Sequence, residues 1–121
     1  MDVLVVDDEA LVREIVAEGL TDEGYAAVEA ASAEQALFLT ETAGAPEVLV
    51  TDVDLWGGMD GLALAEEVCR RWPDTGVVIM TGNPERLETH TFTEKERFLT
   101  KPFGNARLVT AVQELLGRST R

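Results

Sequence analysis

A single cysteine, Cys69, stands in 121 residues, so no internal disulfide can form. A lone thiol fits a reducing cytosol. Basic residues are scarce: Lys and Arg number 10 against 23 Asp and Glu, a formal net charge of −13. A surface that acidic repels phosphate backbones and anionic headgroups, which argues against direct nucleic-acid or membrane binding. No apolar run approaches the length that spans a bilayer, and the opening "MDVLVVDDEA" has no basic stretch. The chain is therefore expected to carry neither a membrane helix nor a signal peptide, and to be cytoplasmic. Linkers, repeats and low-complexity tracts are missing too. Gly57, Gly58 and Gly61 lack the Gly-Lys-Ser/Thr element of a phosphate-binding loop. Residues 1–121 are read as one domain, long enough for one core and not for two.

What is present alternates. "VLVV" (Val3 to Val6), "VLVT" (Val48 to Thr51) and "VVIM" (Val77 to Met80) are short continuous apolar runs, the pattern of strands buried on both faces. "YAAVEA" is a weaker strand and "RFLT" (Arg97 to Thr100) closes the set. Between them apolar residues recur at helical spacing: Leu11, Val12, Ile15, Val16 and Leu20 before Gly24; Ala36, Leu37 and Leu39 after a Ser32/Gln35 capping signal. Leu62, Ala65, Val68, Cys69 and Trp72 follow Asp60 and stop at Pro73, and Leu108, Val109, Val112, Leu115 and Leu116 precede Gly117. Strands alternating with helices predict an α/β fold with a five-stranded parallel sheet covered on both faces. One segment breaks the pattern. "TGNPERLETHTFTEKER" offers only Leu87 and Phe92 as large apolars and interleaves Thr89, Thr91 and Thr93, which are poor helix formers. The fourth helix is expected to be short, loosely docked or mobile.

In open α/β sheets ligands bind at the carboxyl ends of the strands. The first strand delivers Asp7, Asp8 and Glu9 to that edge, the third Asp52, the fourth Thr81 and the fifth Lys101. Two carboxylates about 4 Å apart repel by roughly 4 kcal/mol at an effective dielectric near 20. A cluster of them forces a proton onto one or recruits a cation, and an all-oxygen site with open positions suits Mg²⁺. A lysine, a point charge on a flexible stem, suits a phosphate oxygen. Asp7–Asp8 alone reads as a solvated strand end, a reading that the company of Asp52 and Lys101 reverses, and Thr81–Gly82 alone as turn residues. Phe98 and Trp72 read alone are packing residues, and His90 an exposed loop residue that nothing orients. Trp56, an apolar ring beside the site, is a partner contact or a lid.

Taken in order, "VLVVDDE", "VTDVDL…MDG", "VVIMTG" and "FLTKPF" resemble the successive signatures of the receiver domain of two-component response regulators, over essentially the whole chain. The resemblance implies a doubly wound sheet of strand order 2-1-3-4-5. It implies that Asp52 accepts a phosphoryl group from a histidine kinase or a histidine phosphotransfer protein. By the same resemblance Asp8, Asp52 and the backbone carbonyl of Asp54 would bind Mg²⁺, with Asp7 in the outer shell. Lys101 and Thr81 would contact the phosphoryl group, and Thr81 and Phe98 would be the switch pair. The side chains of Asp54 and Asn83 would tune its lifetime, and Lys101–Pro102 would be a cis peptide. Such a protein is no turnover enzyme: it catalyses only its own phosphorylation and dephosphorylation. It is expected to be a single-domain regulator whose output runs through a downstream protein partner, a relay or a phosphate sink. Trp56 stands where the family commonly has proline, and the Asp52-to-Asp60 loop is one residue longer than usual. Two alternatives stay open. "DVDLW" is similar to the Asp-x-Asp motif of haloacid-dehalogenase-type phosphatases, and a degenerate receiver would serve only as an interaction module.

Overall fold

The computed structural model describes residues 1–117. Strands β1 (Val3–Val6), β2 (Ala27–Ala30), β3 (Val48–Asp52), β4 (Gly76–Thr81) and β5 (Glu96–Thr100) form one parallel sheet in the order β2-β1-β3-β4-β5. Helices α1 (Ala10–Asp22), α2 (Ala33–Ala43), α3 (Gly61–Arg71) and α4 (Asn105–Leu116) cover it. The doubly wound order expected from the resemblance is the order found. Strand order reverses between β1 and β3, so the carboxyl ends of those two strands flank the switch point where ligands bind in such sheets.

Side-chain alternation divides each central strand between two cores. Val3, Val5, Val48, Val50, Val78 and Met80 face α1 and α4, against Val16, Leu20, Leu108 and Val112. Leu4, Val6, Leu49, Val77 and Ile79 face α2 and α3, against Ala33, Ala36, Leu64 and Val68. This explains why the strands read as unbroken apolar runs. The starts of α2 and α3 are capped as expected: the Ser32 hydroxyl accepts the Gln35 N–H at 3.1 Å, and the Asp60 carboxylate accepts the Ala63 N–H at 2.8 Å. The α1 helix forms as expected, but its apolar residues are not all buried. Val16 and Leu20 are buried, but Leu11 and Ile15 lie largely exposed. The first turns of α1 overhang an open groove shared with Pro102 and Phe103 instead of the sheet.

Between β4 and β5 no α-helix forms among the described residues. A single 3-10 turn, Pro84–Leu87, takes its place, and Leu87 is the buried anchor that ties the segment to the α2/α3 core. Beyond it, His90 is not the unoriented loop residue expected from sequence. Its Nε2 lies 3.0 Å from a Glu96 carboxylate oxygen, and its ring meets Phe92 edge-on at 4.6 Å. Between α3 and this segment runs a groove of about 430 Å³, lined by Leu62, Ala65, Cys69, His90 and Glu96.

Gly61 fixes how closely α3 approaches the end of β3. A Cβ there would lie 1.8 Å from the Asp52 carbonyl oxygen and 3.0 Å from Val53 Cα, both backbone atoms that cannot swing aside. Its N–H also donates to the Val53 carbonyl at 2.8 Å. Gly61→Ala is expected to destabilise the fold by about 3 kcal/mol, read as a shifted urea midpoint. A variant within about 0.5 kcal/mol of the parent chain would contradict that close packing.

Candidate functional site

The parallel register sets the ends of β1, β3, β4 and β5 side by side. Val6 pairs with Thr51, Asp52 with Met80, and Thr81 with Thr100. Ladder hydrogen bonds continue past the strand ends, with Val53 N–H donating to the Met80 carbonyl at 3.0 Å and Lys101 N–H to the Thr81 carbonyl at 2.8 Å. Asp7, Asp52 and Lys101 are therefore held by sheet backbone and not by loose loops.

Asp7, Asp8 and Asp52 each place a carboxylate oxygen within 4.8 Å of the others. Asp7 is fully buried. One of its oxygens accepts the Glu9 N–H at 2.9 Å and the other the Lys101 ammonium at 3.0 Å. The same ammonium lies 3.3 Å from Asp52. Burial pushes the Asp52 carboxyl up to about 6; Lys101 pulls it down, while Asp7 and Asp54 add to the rise. Burial works against the Lys101 charge, but the hydrogen bond and charge of Asp7, with Asp52 behind it, hold that ammonium above its ordinary range. Three carboxylates against one ammonium leave a formal charge of −2 in a largely buried cluster. Every donor is a hard oxygen. Asp8, which stays partly exposed, and Asp52 open onto a cleft of about 370 Å³ shared with Asp54, Trp56, Gly82 and Lys101. Such a donor set fits a divalent magnesium-type ion.

The remaining predicted residues divide. Thr81 is buried at the end of β4, where its hydroxyl accepts the Asn83 N–H at 3.0 Å and donates to the Asn83 carbonyl at 3.1 Å. Asn83 thus touches the site through its backbone. The Lys101–Pro102 peptide is cis. Phe98 sits on β5 outside the acid cluster, partly exposed, with its ring 6.1 Å from that of Phe92. Trp56 is 81% exposed at the cleft's lip. Sequence reasoning missed Arg86. Its guanidinium pairs with the Asp54 carboxylate and lies 3.5 Å from Asp60, bridging the two loops that border the cleft. An ion pair between loops leaves no periodic trace in sequence.

The family model of the response regulator receiver domain matches residues 3–113. The chain belongs to the response regulator receiver family. A putative NtrX-like response regulator of Rickettsia conorii is 36% identical over 113 residues, covering 90% of this chain, and the chain spans only 23% of that relative's length. The crystal structure of the NtrX receiver domain from Brucella abortus superposes with a TM-score of 0.81 at 34% identity, covering 96% of this receiver and 98% of that chain. Response regulator protein TrrA from Thermotoga maritima, solved in complex with Mg²⁺–BeF, gives a TM-score of 0.80 at 27% identity, covering 93% and 96%. Receiver domains of response regulators are phosphoryl-accepting signalling switches, and this receiver carries their fold and an aspartate cluster at its sheet edge. The haloacid-dehalogenase reading is not favoured. Here the Asp-x-Asp stretch closes the third strand of a receiver sheet, beside an acid pair from the first. No helix of the described residues is long and apolar enough to cross a membrane.

Proposed function

We propose that Asp52 accepts a phosphoryl group from the phosphohistidine of a histidine kinase or phosphotransfer protein, and that the resulting acyl phosphate alters a surface read by a downstream protein. The observation that carries this reading is the convergence on Asp52 of Asp7 and Asp8 from one strand end and of Lys101 from another, its ammonium 3.3 Å away. A carboxylate oxygen of Asp52 attacks phosphorus in line as the P–N bond to the donor breaks. Lys101 already faces that carboxylate and offsets negative charge on the phosphoryl oxygens as they arrive. Asp8, Asp52 and the backbone carbonyl of Asp54 would hold Mg²⁺. Asp7, with its oxygens taken by Lys101 and the Glu9 N–H, suits an outer-shell role. When bound, the ion supplies further charge neutralisation at the transferring oxygens. The Mg²⁺–BeF complex of TrrA supports that assignment by likeness.

Thr81 is set to report the modification. Its hydroxyl would exchange the Asn83 backbone for a phosphoryl oxygen, drawing the β4 end toward Asp52 and repositioning the segment that leads to Phe98. Incubation with acetyl phosphate and Mg²⁺, followed by intact mass spectrometry, tests the proposal. One phosphoryl adduct is expected on the parent chain and none on Asp52→Asn or in excess EDTA. An adduct that survives Asp52→Asn would defeat it.

A further inference from the structure

The Asp54 carboxylate is exposed at the mouth of the cleft that holds Asp52, and the paired Arg86 guanidinium lies beside it. Arg86 spans 32 residues of sequence to make this contact, from the 3-10 turn after β4 to the loop after β3. It is also shared. Asp60 caps α3 with one oxygen and turns the other toward Arg86 at 3.5 Å. A planar guanidinium can pair its N–H donors with two carboxylates at once, which a lysine ammonium does less selectively. Both acids keep about half their side-chain surface in solvent, so charge rather than packing sets where the Asp54 carboxylate points.

An acidic oxygen free at this place has a second use. Hydrolysis of a phosphorylated Asp52 needs a water opposite the Asp52–phosphorus bond. The water oxygen bonds to phosphorus, and the bond to Asp52 breaks with its electron pair returning to the carboxylate. Both water protons leave with the inorganic phosphate. A carboxylate that accepts a hydrogen bond from that water orients it for attack. We propose that Arg86 is a positioning residue that prolongs the phosphorylated state by holding the Asp54 carboxylate on itself and off the attacking water. The inference rests on Asp52 being the phosphoryl acceptor.

Its test is the decay of the adduct after acetyl phosphate is removed, followed by intact mass spectrometry in Mg²⁺. Arg86→Gln is expected to shorten the lifetime about threefold to tenfold, and Arg86→Lys to restore part of it. In an Asp54→Asn background, adding Arg86→Gln is expected to change the lifetime by less than about twofold, because the freed carboxylate no longer exists. Added NaCl is expected to shorten the lifetime of the parent chain more than that of Arg86→Gln, a response that a purely structural role would not produce. An unchanged or longer lifetime in Arg86→Gln, or a shortening that persists undiminished without the Asp54 carboxylate, overturns the inference. Absence of any adduct on the parent chain would instead fail the assignment of Asp52.

Discussion

Lys101→Met is expected to slow phosphorylation by acetyl phosphate about a hundredfold or more, and to destabilise the metal-free fold by roughly 2–4 kcal/mol. Methionine keeps the length of the apolar stem, so the variant reports the charge. The rate effect follows from the 3.3 Å approach of the ammonium to Asp52, where negative charge must be accommodated as the phosphoryl group arrives. The stability effect follows from Asp7. That carboxylate is fully buried and is left with the Glu9 N–H as its hydrogen-bond donor once the ammonium is removed. The partial exposure of Lys101 places the expected cost below that of a fully buried pair. Added Mg²⁺ should recover part of the stability and little of the rate, since an ion held by Asp8 and Asp52 would offset the acids without supplying the donor that Lys101 provides. Urea unfolding with and without Mg²⁺, together with adduct formation rates, separates the two effects. A Met variant that phosphorylates at the parental rate would remove Lys101 from the mechanism.

Asp52→Asn is expected to stabilise the metal-free protein at neutral pH by about 2 kcal/mol, although it abolishes the proposed chemistry. Burial and the neighbouring Asp7 raise the Asp52 carboxyl from 3.8 to about 6 despite Lys101, so the folded state holds that proton more tightly than the unfolded chain. A raised carboxyl lowers stability as pH climbs from the unfolded value through the folded one. The penalty is small below about pH 4 and complete above about pH 6. The advantage of Asn should therefore be near zero at acid pH and grow across that window. Mg²⁺ should shrink or invert it, because the ion would bind more weakly to the chain that has lost one of its proposed ligands. Comparing unfolding midpoints of the two chains at pH 4 and pH 7.5 in EDTA cancels the titration of the other carboxylates. An Asn variant less stable than the parent at pH 7.5 in EDTA would show that the cluster is not frustrated in the way its geometry implies.

Both predictions concern residues that the strand pattern put at the sheet edge where the structure has them, and the reason is physical. Strands buried on two faces must read as apolar runs, so the first polar residue after each run marks the sheet edge. Asp7, Asp52 and Thr81 were legible in that way; Lys101 follows the weaker, half-exposed run of β5. The helices of α3 and α4 were legible because one face of each meets the sheet along its length. α1 was legible as a helix but not in its burial. Its period cannot tell that Leu11 and Ile15 lie exposed, Ile15 over an open groove beside Pro102 and Phe103. The segment after β4 was visible as a departure, since Leu87 and Phe92 are too few to build a helical face, but the 3-10 turn that replaces the helix was not predicted. Arg86 and the Asn83-bonded pose of the Thr81 hydroxyl were beyond reach. Both depend on how two loops meet in space, and charge pairing across such a gap imposes no spacing on either loop.

Borohydride reduction of the acetyl phosphate-treated chain, followed by peptide mass spectrometry, tests the central assignment most directly, because an acyl phosphate is reduced to homoserine at the residue that carried it. Homoserine is expected at position 52 alone, dependent on Mg²⁺. Homoserine at position 7, 8 or 54, or an unreduced phosphoryl group on a threonine or on His90, would contradict it.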